Sequence, residues 1–251
     1  MHYLDFLTHV HAALTPQHYL EIGVASGKSL ALSRCRSVGV DPGFHIDVPI
    51  DVDMALFRIS SDEYFTREDP LAPTRGQPFD LAFIDGLHLF EFAFRDFINV
   101  ERHMRASSVV IFDDVLPRSV EEAARVRHTR AWTGDVYPIL EVLAKYRPEL
   151  VVVPVDTQPT GLLMIMGMDP ANTVLADNYD EIIGEFRRPD PQPVPEALMD
   201  RLDVLPARRF LEAGVLEELA DLAGAEVDAV RKRLADVVPP RLGKAFAPAP
   251  V

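Results

Sequence analysis

HYLEIGVASGKSLAL, residues 18–32, changes character halfway along. Residues 18–22 form a short apolar run. Gly23 and Gly27 interrupt it, and from Lys28 the pattern resumes with helical spacing. A strand, a glycine turn and a helix starting near Lys28 are predicted. Similar runs follow: SVGVDP ending at Asp41, ALFRISSDEYF with Ser61 and Asp62 at its end, FDLAFID ending at Asp85, and SSVVIFDD ending at Asp113 and Asp114. Between the last two lies LHLFEFAFRDFINVERHM, apolar on more than one face and so a largely buried helix. Residues 68–78 read as a loop. Strands alternating with helices through about residue 146 mean βαβ units and a parallel sheet. ELVVVPVD and GLLMIMGM are separated only by TQPT, so this late pair is antiparallel. The fold class is a Rossmann-like α/β sheet of about seven strands, mostly parallel, with one antiparallel strand near the end.

Outside this unit, YLDFLTHVHAAL places Leu4, Leu7, Val10 and Leu14 on one helical face ahead of Pro16. After residue 170 the character changes. A proline cluster at 187–197 precedes helical stretches at roughly 195–204 and 208–236, and residues 239–251 read as a frayed tail. The predicted division is a domain over 1–170 and a helical extension over 171–251.

Bulk properties exclude several roles. A net charge of −14 repels nucleic-acid phosphates and anionic membranes. One cysteine, Cys35, rules out a disulfide framework and suits a reducing cytoplasm. The first residues lack a basic stretch before a long apolar core, so no signal peptide is predicted. No apolar run reaches the ~20 residues that would span a bilayer. The late helix around VLEELADLAGAEVDAVRKRLADV has apolar positions enough for core packing or for a homo-oligomer contact.

The glycine turn admits three readings besides a tight turn without ligand. A dinucleotide fingerprint needs a second glycine where Ala25 stands, and a P-loop needs one more residue before Gly27-Lys28-Ser29. The third, E-x-G-x-x-x-G from Glu21 to Gly27, is the glycine motif of class I S-adenosylmethionine (SAM) methyltransferases, and it matches in full. Asp41 falls where an acid can accept hydrogen bonds from ribose hydroxyls. Asp85, Asp113 and Asp114 end neighbouring strands. Crowded carboxylates repel unless something positive lies among them, and an all-oxygen set suits Mg²⁺ or another hard cation. Asp113 and Asp114 can both ligate only if the strand has already turned, because adjacent strand residues face opposite ways. His88, three residues past Asp85, is either a general base or a histidine bonded to a helix start. The other histidines carry no motif.

EIGVASGKS, GVDP, SSDEYF, FDLAFIDGLH and VVIFDD, in this order, resemble the metal-dependent class I O-methyltransferases, most closely the macrocin-type group that methylates sugar hydroxyls of natural products, and distantly catechol O-methyltransferase. The resemblance spans roughly residues 15–168. It implies SAM-dependent methyl transfer to a hydroxyl of a small molecule, a sugar diol or other natural product. It implies Mg²⁺ on Asp85, Asp113 and Asp114, His88 as base, and a SAM pocket of Gly23, Ala25, Gly27, Ser29, Asp41, Ser61, Asp62 and Asp85, with Glu21 near the methionine end. Relatives often carry Glu-Asp or Asp-Asn where this chain has Asp113-Asp114. RHTRAWTGDVYPIL, with Trp132, reads equally as a lid or a plain connection. Two rivals stand beside this reading: a metal-independent methyltransferase, and a SAM- or nucleotide-binding protein without catalysis.

Overall fold

In the computed structural model, which describes residues 1–249, one eight-stranded sheet runs in the order β3-β2-β1-β4-β5-β7-β6-β8. The strands are β1 (His18–Ile22), β2 (Arg36–Val40), β3 (Met54–Phe57), β4 (Phe79–Ile84), β5 (Met104–Phe112), β6 (Val151–Asp156), β7 (Leu162–Met166) and the two-residue β8 (Leu205–Pro206). All pairings are parallel except those of β7, which is antiparallel to both β5 and β6. The chain builds outward from β1 to β3, returns to β4, and builds the other way. The reversal leaves a crevice beyond the carboxyl ends of β1 and β4, where open α/β sheets take their ligands.

Period-two alternation sends each strand's side chains to two separate cores. Leu81, Phe83, Val109, Ile111, Val153 and Met164 face α1 (Tyr3–Leu14). Leu20, Ile22, Ala82, Ile84, Val110 and Phe112 face α3 (Phe90–Glu101) and α4 (Ile139–Tyr146). Burial on both faces explains why the strands read as near-continuous apolar runs. Glu101 and Arg147, both almost fully buried, form a bidentate pair at 2.7 and 2.9 Å that pins α3 to the end of α4.

The segment after residue 170 contributes to both cores. Helices α5 (Val174–Asp177) and α6 (Tyr179–Phe186) lie on the α3 side, through Leu175, Ile182 and Phe186. After α7 (Glu196–Met199), the helices α8 (Ala207–Glu212), α9 (Val215–Asp221) and α10 (Val227–Arg241) join α1 on the other, through Phe210, Leu216, Leu219, Leu234 and Val238. Gly214, at φ +67°, breaks the stretch expected as one helix from 208. Of the tail expected to fray, residues 239–249 are ordered into the fold, and 250–251 lie outside the described residues. Helix α10 continues to Arg241, Leu242 is buried, and the Ala249 amide donates to the Pro148 carbonyl at 2.7 Å.

Two local expectations change. The helix from Lys28 is only a single 3-10 turn, Leu30–Leu32. The Ser33 and Ser37 hydroxyls bond each other at 2.7 Å, and that of Ser37 also donates to the Cys35 carbonyl, offering the chain a local alternative to a helix. The third strand stops at Phe57, and residues Ser61–Phe65 form helix α2. Ser60 accepts from the Glu63 amide at 3.1 Å, so Ser-x-x-Glu here is a helix start rather than a strand end.

Candidate active site

Four strands end in step. The amide of Gly23 donates to the Val40 carbonyl, that of Asp41 to Phe57, that of Asp85 to Ile22 and that of Asp113 to Ile84, at 2.8 to 3.1 Å. Each ladder thus runs one residue past its strand, and the next side chain is released at the sheet edge. The edge floors a cavity of about 600 Å³. Gly23, Ala25, Asp41, Ser61, Asp62, Asp85, His88, Asp113 and Asp114 all line it.

On the β1/β2 side the turn is drawn tight. Asp41 accepts from the Ala25 amide at 2.8 Å and the Gly43 amide at 2.6 Å, holding Ala25 in a left-handed conformation at φ +46°. Gly23 lies at φ +88°, and a Cβ there would stand 1.8 Å from the Asp85 carbonyl oxygen. Glycine is required at this position because β1 and β4 exit together.

Glu21, Gly27 and Ser29 do not reach the cavity wall. Glu21 is fully buried beneath the turn, accepting from the hydroxyls of Tyr19 at 2.6 Å and Ser29 at 2.7 Å. Burial pushes its carboxyl up to about 8, against the pull of those two donors. In this position Glu21 braces the turn from below. Alternation in β1 turns Glu21 into the face that carries Tyr19. Gly27 instead packs against Ile46.

On the β4/β5 side the strand does turn where two ligating acids would require it. Asp114 has φ +62°. This swings its carboxylate toward β4, while Asp113 accepts from the Asp114 amide at 2.8 Å and from the Thr160 hydroxyl at 3.4 Å. Donor atoms of Asp85, His88 and Asp114 all lie within 4.8 Å of one another. Asp113, expected as a ligand, lines the same cavity beside them, and His88 joins the cluster of Asp85 and Asp114.

His88 bridges the acids. Its Nε2 is 3.4 Å from Asp85 Oδ1, and its Nδ1 is 2.9 Å from Asp114 Oδ2 and 3.0 Å from the Trp132 carbonyl. Burial opposes a charge on the ring, but the two carboxylates outweigh it and hold His88 up at about 11. Asp85 is raised to about 6, first by burial and also by Asp114. Burial and both neighbouring acids raise Asp113 well above the carboxylate range. These acids outnumber their cations.

Other wall residues lie far away in the sequence. Tyr3 of α1 reaches over the acids, and its phenol is raised by burial and by Asp113 and Asp85. The signal was its place on the Leu7–Val10 face of α1. Phe92 and Asp96, four apart on α3, line the base, and burial lifts Asp96 to about 7. Asp62 is bound to Arg95 at 2.7 and 3.0 Å, so its carboxylate serves mainly to tie α2 to α3. Trp132 stacks on His88, ring centres 4.9 Å apart at 12°, with its indole N–H donating to the Ala124 carbonyl at 2.6 Å. Gly134, at φ +58°, lets this loop seat against the His88 carbonyl, which a Cβ would approach to 1.7 Å.

Residues 53–115 match a family model described as a methyltransferase domain. That window begins at β3, ends just past Asp114 and includes Asp85 and His88. No curated protein sequence matches the chain. Among solved structures, the O-methyltransferase TomG of Streptomyces achromogenes, involved in tomaymycin synthesis and in complex with SAM, is 18% identical, over 65% of this chain and 78% of that one, with a TM-score of 0.48. The Bacillus cereus O-methyltransferase in complex with SAH is 16% identical, over 65% and 79%, at 0.47. The SAH-bound Podospora anserina methyltransferase PaMTH1 is 14% identical, over 65% and 77%, at 0.46.

Proposed function

We propose that the protein is a SAM-dependent O-methyltransferase of the metal-assisted, macrocin-like kind, acting on a hydroxyl of a small molecule with adjacent oxygens. The observation that carries this reading is the pairing, in one cavity, of a glycine turn braced by Asp41 with an acid cluster containing His88. Gly23 and Ala25 bring backbone close to a ligand, and Asp41 keeps lone pairs for ribose hydroxyls. The match to a methyltransferase domain over residues 53–115 supports the same assignment.

The donor set fits a hard divalent cation such as Mg²⁺: Asp85 and Asp114 supply oxygens, and the excess of buried acid needs positive charge. A cation there would supply Lewis-acid polarisation of the acceptor hydroxyl. The chain's own residues do the rest. Asp114 and the Trp132 carbonyl, at 2.9 and 3.0 Å from Nδ1, hold the ring with its proton on that nitrogen, which leaves Nε2 as the atom that accepts. Neutral His88 takes the hydroxyl proton as the oxygen attacks the methyl carbon of the sulfonium, and SAH leaves with the sulfur lone pair restored. The imidazolium bridging two carboxylates is the product form of that transfer. The same carboxylates make His88 a strong base that is seldom free at neutral pH, so neutralising one of them frees it. Trp132 keeps one face of the ring dry.

The test is methyl transfer from labelled SAM to sugar diols and catechols, with Mg²⁺ and with EDTA. Metal-dependent turnover, lowered about a hundredfold in His88→Ala with little loss of SAM affinity, is expected. Full activity in EDTA would leave a metal-independent methyltransferase. SAM binding with no methylated product would favour a binding protein without catalysis.

A further inference from the structure

The loop over the cavity carries Arg118, Arg125, Arg127 and Arg130, and they divide by task. Arg118 pairs with Glu122 at 2.6 Å. Arg125 pairs with Glu91 at 2.6 Å and also with Asp135, the acid that accepts from the Phe90 amide at the start of α3. Those two are committed to holding the loop. Arg127 and Arg130 are exposed, line the cavity, and meet no carboxylate among the described residues. Arg127 reaches only backbone, the carbonyls of Arg130 at 2.9 Å and Thr129 at 3.4 Å, with its guanidinium 5.9 Å from the Trp132 ring centre. Since Trp132 stacks on His88, this cation sits one aromatic ring from the proposed base.

Every acidic residue on the wall is an aspartate of the sheet edge, α2 or α3, and Asp41, Asp62, Asp85, Asp96, Asp113 and Asp114 together repel an anion. In a chain of net charge −14, two uncommitted guanidiniums at the mouth are a local reversal of sign. We infer that Arg127 and Arg130 recognise an anionic group on the acceptor, a carboxylate or phosphate carried away from the hydroxyl that is methylated. Arginine suits this task because its planar fork matches both anions. The inference rests on the methyltransferase reading and names the substrate class.

Calorimetric titration of the SAH-loaded, Mg²⁺-supplied protein with 3,4-dihydroxybenzoate, catechol and 3,4-dihydroxybenzylamine tests it, because the three share adjacent hydroxyls and differ in charge. The benzoate is expected to bind about tenfold or more tighter than the amine. High salt should shrink the difference. R127A/R130A should abolish it, and R127K/R130K should keep part of it. Equal binding of the three, or binding of none, by protein that takes up SAH overturns the inference alone. So does a double variant whose loss falls on SAH, since the arginines would then serve the cofactor's carboxylate. Protein that does not bind SAH overturns the methyltransferase reading and this inference together.

Discussion

The two sides of the cavity use the same residue type in opposite ways. On the β1/β2 side, Asp41 is matched to donors: two amides satisfy it and the turn is shaped by it. On the β4/β5 side, Asp85, Asp113 and Asp114 crowd together, and one histidine is shared between Asp85 and Asp114. A satisfied acid builds backbone geometry. An unsatisfied cluster stores a requirement for positive charge, which a cation or a proton can meet. The two sides meet along the β1–β4 ladder, most tightly where Gly23 passes the carbonyl of Asp85.

The largest effect should come from emptying the acid-rich side alone. Asp85→Ala is expected to lower metal-supported methyl transfer about a thousandfold while SAM affinity stays within a few fold, read by steady-state kinetics beside calorimetry. Equal loss of both would mean that the two sides are one site. Gly23→Ala attacks the contact between them. The added Cβ meets a backbone oxygen at 1.8 Å in a left-handed conformation, and neither strand can yield without breaking its ladder. A loss of about 3 kcal/mol in denaturant unfolding is expected. A neutral result would show that the exits of β1 and β4 are loosely joined.

The smallest effect separates the sides by pH. In chelator, Asp85 has a folded value near 6, above its ordinary 3.8. The stability from its neutral form is fully present below 3.8 and is lost as pH rises through 6. His88, raised from 6.5 to about 11, contributes stability that is fully present below 6.5 and fades only as pH rises through 11. Added Mg²⁺ should therefore raise Tm by a few degrees above pH 6 and hardly at all near pH 4, and Asp85→Ala should remove the difference. A Mg²⁺ effect independent of pH would place the cation elsewhere.

The sheet was legible because its strands are buried on both faces, which writes them as apolar runs, and because each run ends abruptly in an acid. Asp41, Asp85 and His88 were legible for the same reason: a charge just past a buried strand has to do something. The orientation of Glu21 was not, since the motif that names it says nothing about which face of β1 it occupies. Nor was the approach of Asp114 to His88, which depends on a single left-handed residue at Asp114. Tyr3 and Thr160 come from distant segments that only the packed cores bring to the sheet edge, whereas the two loop arginines fall in RHTRAWTGDVYPIL, the segment read as a lid or a plain connection. The short α2 could have been read from Ser60-x-x-Glu63, a capping signal within an otherwise strand-like run.

The most direct measurement is a calorimetric titration of SAM into the protein with Mg²⁺ and with EDTA, followed by a titration of Mg²⁺ into the SAM-bound protein. Micromolar SAM binding in both solutions, with a separate Mg²⁺ signal that Asp85→Ala removes, is the predicted result. No SAM binding in either solution would contradict the account at its root, because the Asp41-braced glycine turn would then not be a cofactor site.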